Sequence, residues 1–467
     1  MSEKISRRRY LKYAVGGVAA IAAAAGGYYF TQPSPSTTTS ATTVPATTVP
    51  ALQYSGISTT FYCMASPTTD AAKKLSKDFD AMTGLDTHVL ELDWSELVAK
   101  AMMELTGRTG AIDVCVFDEV QTDMYGPYAH ELRDFSDIAD PKLLAMDDFS
   151  PPIVKLLTTT GGRLVGIPSM CDSTMLVYRK DLFEDEKNKR DFVKQFGYEL
   201  HPPQNGDEFK DIAKFFQRPK ENMYGMSDNW STPYMVRSTG GWLRAHGGNW
   251  FEDWQKGDLT PTIDTDPMRM AMKDCIWFLE NATPPDILSF DNALVTQQLA
   301  TGRSPMGITW FSSMPDLHKP EFSKYYEQFR YGVHPLSGNT GHMGWFIPKD
   351  SKHAEAAYKL VEWICSPQNQ LTFVQFGGTP FRTSSISDPN ILKVLAGGGP
   401  WAPNLAEMGL KNLDTAWSCP HFTEYFGWED FACKWIARIL GKSVSIDEGI
   451  KGLQKETEDF MKKLGYI

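Results

Sequence analysis

The chain has 467 residues, with 46 Lys and Arg against 57 Asp and Glu, a net charge of −11. That length holds two or three domains' worth of material, and 42% hydrophobic with 22% charged residues is an ordinary globular balance. The acidic sign argues against nucleic acid as a partner, because phosphates demand a basic surface.

The first residues read as an export segment. Ser6-Arg7-Arg8-Arg9-Tyr10-Leu11-Lys12 fits the twin-arginine pattern S-R-R-x-F-L-K, with Tyr in the Phe position. An uncharged apolar run from Tyr13 to Phe30 follows, long enough to span a bilayer. Residues 1–30 are therefore expected to be a signal or a membrane anchor, with Lys4, Arg7, Arg8, Arg9 and Lys12 on the inner side. Residues 31–53 are rich in Thr and Pro, with Ala-Thr-Thr-Val-Pro repeated in tandem from Ala41 and Ala46. Such a tract buries too little apolar surface to fold and reads as a disordered stalk. The seven cysteines are scattered with no C-x-x-C pair, which is neither a zinc site nor a disulfide framework. Cys115, Cys275 and Cys365 lie in apolar runs and are expected in the core; a Cys419–Cys433 pair stays open.

Globular sequence begins near Tyr54. Ile57 to Cys63 reads as a strand, Asp70 to Met82 as a helix closed by Gly84, and Thr87 to Leu92 as a second strand. Asp93 is expected to cap a helix from Trp94 to Leu105, and Ala111 to Phe117, apolar but for Asp113, is a third strand. This is the doubly wound α/β order, in which ligands bind beyond the carboxyl ends of the strands. Cys63-Met64-Ala65 and Asp118-Glu119 fall at those ends. From Gly162 to Asp185, Leu164 to Ile167 and Met175 to Tyr178 read as two buried strands. The stretch between them holds Pro168, Ser169, Cys171, Asp172, Ser173 and Thr174. That pattern fits a chain passing between two lobes, and equally a strand–loop–strand inside one core.

Farther on, Tyr224 to Met226 reads as a short strand, and Thr239 to Phe251 is dense in Gly and Trp. Glycine permits close backbone approach, and Trp242 offers either a stacking plate or a core contact. Trp250 is expected at an outer edge. A helix before Thr301 leads to a strand, Gly307 to Trp310. Gly441-Lys442-Ser443 lacks the upstream glycine of a phosphate loop. Ser445 and Glu448 instead form a capping box for a last helix, Ile446 to Leu464.

Several of these phrases resemble a known family. GRLVGIP followed by LVYRKDLFE is similar to the crossing segment of extracellular solute-binding proteins of ABC transporters, carbohydrate-type family 1. Gly110-Ala-Ile-Asp-Val114, Leu132 to Asp137, Pro202 to Phe209 (without the usual Trp), Leu299 to Trp310, Ser351 to Ile364 and Gly378 to Ser384 follow in the family's order. The signal or anchor with its stalk resembles the archaeal version. The resemblance implies an α/β, periplasmic-binding-protein-like fold: two α/β lobes joined by a multi-strand hinge, with ligand in the cleft between them. The expected lobes are residues 54–171 plus 309–365 and residues 172–308 plus 366–467.

Under this resemblance Asp118, Glu119 and Asp172 bind hydroxyls and Ser173 is a ligand-binding residue of the cleft, while Trp230, Trp242, Trp310 and Trp345 stack on sugar faces. Arg382 is the residue placed for an anionic group. The expected partners are a mono- or oligosaccharide, ABC permease subunits and, through the N-terminal segment, the membrane; the protein is expected to be a monomer. A polyamine, peptide or phosphodiester ligand in the same fold is the first alternative. An exported glycoside-acting hydrolase is the second. No G-x-S-x-G, H-E-x-x-H or G-x-G-x-x-G motif is present, and adjacent Asp118 and Glu119 point opposite ways from a strand end, a poor acid/base pair. No catalytic residue, metal or cofactor is expected.

Overall fold

The computed structural model describes residues 53–395 and 404–467. The expected signal or anchor, and the stalk up to residue 52, lie outside the described residues. Among those described, no helix is long and apolar enough to cross a membrane.

The chain opens with β1 (Ser58–Met64), α1 (Pro67–Thr83), β2 (Asp86–Leu92), α2 (Trp94–Gly107) and β3 (Val114–Asp118). Local chemistry sets these limits. The Ser66 side chain accepts from Thr69 N at the start of α1, Pro67 supplies a preset first turn, and Gly84 ends the helix at φ 77°. Asp93 stands at the N-cap of α2, but its side chain makes no capping bond; its carbonyl accepts from Leu97 N instead. There follow β4 (Ile167–Met170), β5 (Thr174–Arg179), α3 (Met235–Ala245), and the hairpin β6 (Phe251–Asp253) and β7 (Asp258–Pro261). Next come α4 (Asn292–Ala300), β8 (Met306–Trp310), β9 (Phe329–Gly332), β10 (Met343–Phe346) and α5 (Ala354–Cys365). The chain closes with α6 (Tyr425–Leu440) and α7 (Ile446–Leu464), the latter started by the expected Ser445–Glu448 capping box.

The strands form two main sheets. The first has the order β2-β1-β3-β10-β4, with β1 parallel to β2 and β3, and β10 antiparallel to both its neighbours. The second is antiparallel, β8-β5-β9. Each sheet carries its own core: Phe61, Phe117, Trp345 and Leu360 in the first, Leu176, Phe209, Met272 and Trp428 in the second. Because β4 belongs to one sheet and β5 to the other, residues 171–173 cross between lobes. The fold is the periplasmic-binding-protein type, two α/β lobes.

The lobe boundaries differ from the expected ones. Phe311, Met314, Leu317, Phe329 and Tyr331 pack in the second core, because β8 and β9 both pair with β5. The return crossing is therefore at Gly338–His342, just before β10, rather than before Trp310. Phe373 and Phe381 pack in the first core while Ile391 packs in the second, so the third crossing lies beyond Phe381 rather than at Cys365. Tyr224 to Met226 forms no strand; the residues flanking it make isolated bridges, Met223 to Arg218 and Ser227 to Gly307. Trp250 is buried against Trp428 at 5.5 Å instead of lying at an edge. All seven cysteines are buried and free, so Cys419 and Cys433 are unpaired.

Candidate functional site

The lobes enclose a cleft of about 570 Å³. In the first lobe, Met64 and Ala65 reach it from the end of β1, Asp118 from the end of β3, and Met170 from the end of β4. Met343 joins them because β10 runs antiparallel, which puts its start at the same edge. Trp94 enters at the start of α2. The second lobe contributes Tyr234 and Arg237 around α3, Trp310, Ser312 and Ser313 at the exit of β8, and Phe426 and Glu429 from α6. Ser66 to Thr68 at the start of α1, and Asn292 at the start of α4, also line it. The starts of α1 and α4 thus open onto one cavity, and their partial positive charge suits ligand oxygens.

Arg237 is the centre of the cleft's electrostatics. Its Nη1 donates to Asn339 Oδ1 at 2.9 Å, and its Nη2 lies 3.6 Å from Asp118 Oδ2. Its Nε stands 4.0 Å from Glu429 Oε1, and its guanidinium lies 5.8 Å from the Trp310 ring centroid. The Asp118–Arg237 pair joins the first lobe to the second. Burial raises the Asp118 carboxyl to about 6, against the pull of Arg237, and raises Glu429 to about 7. Asp172 is likewise raised by burial to about 7, although its Oδ1 accepts from Ser173 N at 2.9 Å and Ser312 N at 3.2 Å. Asp172 thereby fastens the exit of β8 to the first crossing.

Of the expected ligand residues, Asp118, Asp172 and Trp310 line the cleft together. The others do not. Glu119 Oε1 accepts from Thr340 Oγ1 and Ser418 Oγ, each at 2.6 Å, and ties the end of β3 to the return crossing. Ser173 accepts from Asn412 Nδ2 at 2.9 Å and lines a cavity of only about 30 Å³ at the hinge, beside Cys171. Trp230 is fully buried in the second core. Trp242 follows Arg237 by five helical residues, a turn of about 140°, which sends it inward to stack on Phe209 with 14° between planes. Trp345 sits mid-strand with its ring 5.3 Å from Phe61; only the start of the strand, at Met343, reaches the cleft. Arg382 donates to the carbonyls of Cys365 (2.6 Å), Leu144 (2.7 Å) and Ala145 (3.1 Å) and lies over Phe149. It is a brace inside the first lobe.

Sequence reasoning missed Arg237, Trp94, Tyr234 and Glu429. The strand-end rule that singled out Asp118 also points to Trp94, two residues past β2. Nothing local marks Arg237, since the same helix also carries Ser238, Thr239 and a second arginine, Arg244.

Comparison with known proteins agrees with this geometry. A profile described as bacterial extracellular solute-binding protein matches residues 74–393. The chain belongs to this family. It is an ABC-transporter solute-binding protein, of a non-catalytic kind. A relative in Sinorhizobium fredii, named a probable amino-acid ABC transporter periplasmic-binding protein, is 23% identical over 85% of this chain and 88% of its own length. Among solved structures, a solute-binding protein of Agrobacterium radiobacter in complex with ribitol superposes with a TM-score of 0.75. It is 21% identical, covering 87% of this chain and 99% of that one. A maltose-bound protein of T. maritima gives 0.74 at 19% identity, covering 86% of this chain and 100% of its own. An Agrobacterium vitis protein with bound D-mannitol gives 0.72 at 20%, covering 87% and 99%.

Proposed function

We propose that this chain captures a carbohydrate outside the cell, closes its two lobes over it and delivers it to ABC permease subunits. The observation that carries this reading is Trp310 on the cleft wall with the Asp118–Arg237 pair beside it. An indole face takes the C–H face of a sugar ring, while a carboxylate and a guanidinium hydrogen-bond neighbouring hydroxyls. Arg237 is the one cation among the described residues lining the cleft, against Asp118, Asp172, Asp316 and Glu429. That balance suits a neutral polyol and opposes a phosphate. Ribitol, D-mannitol and maltose in proteins of the same fold support this choice.

Closure follows from ligand contacts that only the closed arrangement can make in full. Export is proposed to run through the twin-arginine segment, with residues 13–30 as a retained anchor and the Thr/Pro tract as a stalk. Fractionation of cells carrying Arg7→Lys together with Arg8→Lys tests it: the variant should stay inside.

One second reading has a specific support. The Sinorhizobium fredii relative is named for amino acids, and Arg237 could hold a ligand carboxylate while the cleft carboxylates hold an ammonium. A thermal-shift screen of the full chain against sugars, polyols and amino acids separates the two, since a specific ligand raises the midpoint with the logarithm of its concentration over Kd. A saturable shift with a sugar supports the carbohydrate reading, and one with amino acids alone replaces it. In Trp310→Ala the sugar affinity should fall about 10-fold or more. Unchanged affinity would remove Trp310 from the site.

A further inference from the structure

The cleft is longer than one sugar ring. Its floor is the edge of the first sheet, whose strands stand in the order β2-β1-β3-β10-β4. Every one of these strands brings a residue to it: Trp94 just past β2, Met64 from β1, Asp118 from β3, Met343 from β10 and Met170 from β4. Neighbouring strands stand about 4.8 Å apart, so the floor runs roughly 19 Å from β4 to β2. Volume agrees with length. A cavity of about 150 Å³ holds one six-membered ring, whereas this cleft has about 570 Å³.

Aromatic faces stand at both ends of that floor. Trp310 is at the hinge end. A Cβ on Gly341 would lie 2.4 Å from its Cζ3, so glycine there lets the indole seat against the return crossing, just before β10. Trp94 is at the opposite end, the first residue of α2 and two past β2, the outermost strand. Three strand spacings, roughly 14 Å, separate β10 from β2, so a single pyranose ring resting on one indole does not reach the other.

Trp94 packs against the first core and is half-buried where it lines the cleft. Phe322 lines the cleft from the second lobe and is 44% exposed. Its segment lies toward the same outer end. The Lys73–Glu91 ion pair, at 2.7 Å, ties α1 to the end of β2. Beside it burial raises the Asp70 carboxyl, while Lys73 and Lys319 draw it back down, which sets Lys319 across from the start of α1. Two partly exposed rings from opposite lobes, away from Asp118 and Arg237, have nothing to hold if the ligand ends at that pair.

We propose that the cleft is built for a linear oligosaccharide of about three rings, rather than for a monosaccharide or an open-chain polyol. One end ring rests on Trp310 beside Asp118 and Arg237, and the other on Trp94 opposite Phe322. This inference rests on the carbohydrate reading of the cleft and adds to it a length and an outer subsite. Trp94 sets that length, because its face is available only to a ligand that reaches it.

The test titrates the full chain by calorimetry with D-glucose, maltose and maltotriose, with the matching xylose and mannose series, and with ribitol and D-mannitol. In the series that binds, affinity should rise about 10-fold or more from the monosaccharide to the trisaccharide. Trp94→Ala should remove most of that gain and leave monosaccharide affinity as it was, a selectivity that a folding defect does not produce. Phe322→Ala, at an exposed position, should give a smaller loss of the same kind. A monosaccharide or polyol bound as tightly as the trisaccharide overturns the proposal. So do two variants that weaken short and long ligands alike, or neither. Those outcomes leave the carbohydrate reading standing, whereas no saturable response to any sugar or polyol removes that reading and this one with it.

Discussion

Two buried arginines, one in the first lobe's interior and one in the cleft, show how alike residues divide between holding the fold and awaiting a ligand. Arg382 spends its donors on three backbone carbonyls within 3.1 Å and rests its guanidinium 4.0 Å from the Phe149 ring centroid. Arg237 has one strong hydrogen bond, to Asn339, and its carboxylate neighbours stand back at 3.6 and 4.0 Å. The first is saturated and touches no large cavity. The second lines one and keeps donors in hand. Satisfaction, rather than residue type, distinguishes a brace from a binding group.

The comparison can be broken by substitution. The largest effect belongs to Arg382→Met, which takes a buried guanidinium away from three carbonyls and from Asp148 and should lower the unfolding free energy by roughly 3–5 kcal/mol. Denaturant titration measures it, and ligand affinity of the folded fraction should be unchanged. Arg237→Gln should do the reverse. Loss of charged hydrogen bonds to the ligand is worth roughly 1.5–3 kcal/mol, a 10- to 100-fold drop in affinity by calorimetry, with a smaller change in stability. Equal stability losses in the two variants would dissolve the distinction.

A subtler effect concerns Asp228, buried seven residues before the start of α3 and raised by burial to about 7. A carboxyl raised in the folded state binds its proton more tightly there than in the unfolded chain, where it titrates near 4. Its contribution to stability is therefore complete below about pH 4 and is lost as pH rises through about 7. The Asp228→Asn variant lacks this loss. Its Tm relative to the native chain should climb from about pH 5 to about pH 8. Buried His334 and His342, lowered by burial to about 3 and about 4, act in the opposite sense on both proteins and cancel in the difference.

Much of this was legible in the sequence where local rules operate. The doubly wound order followed from apolar runs and their punctuation, the first crossing needed the family resemblance as well, and the strand-end rule found Asp118. Parity then separated it from Glu119, which turns into the crossing instead of the cleft. What sequence could not show is which aromatic ring looks inward. Trp345 and Trp310 both sit on strands, but one lies within a sheet packed into a core and the other at a strand's last residue. The lobe boundary near Trp310 was hidden for a related reason. β8 pairs with β5 across more than a hundred residues of chain, and no local pattern encodes that partner.

The seven sulfurs have a consequence of their own. Every thiol is buried, and burial lifts each one: Cys63, Cys365, Cys419 and Cys433 to about 12, with Cys115, Cys171 and Cys275 also raised. Since the thiolate is the species that attacks disulfides and oxidants, these groups are chemically silent at neutral pH. The native state neither requires an oxidant to form nor consumes one once formed. Its architecture is redox-indifferent, equally at home in a reducing interior and in an oxidising exterior.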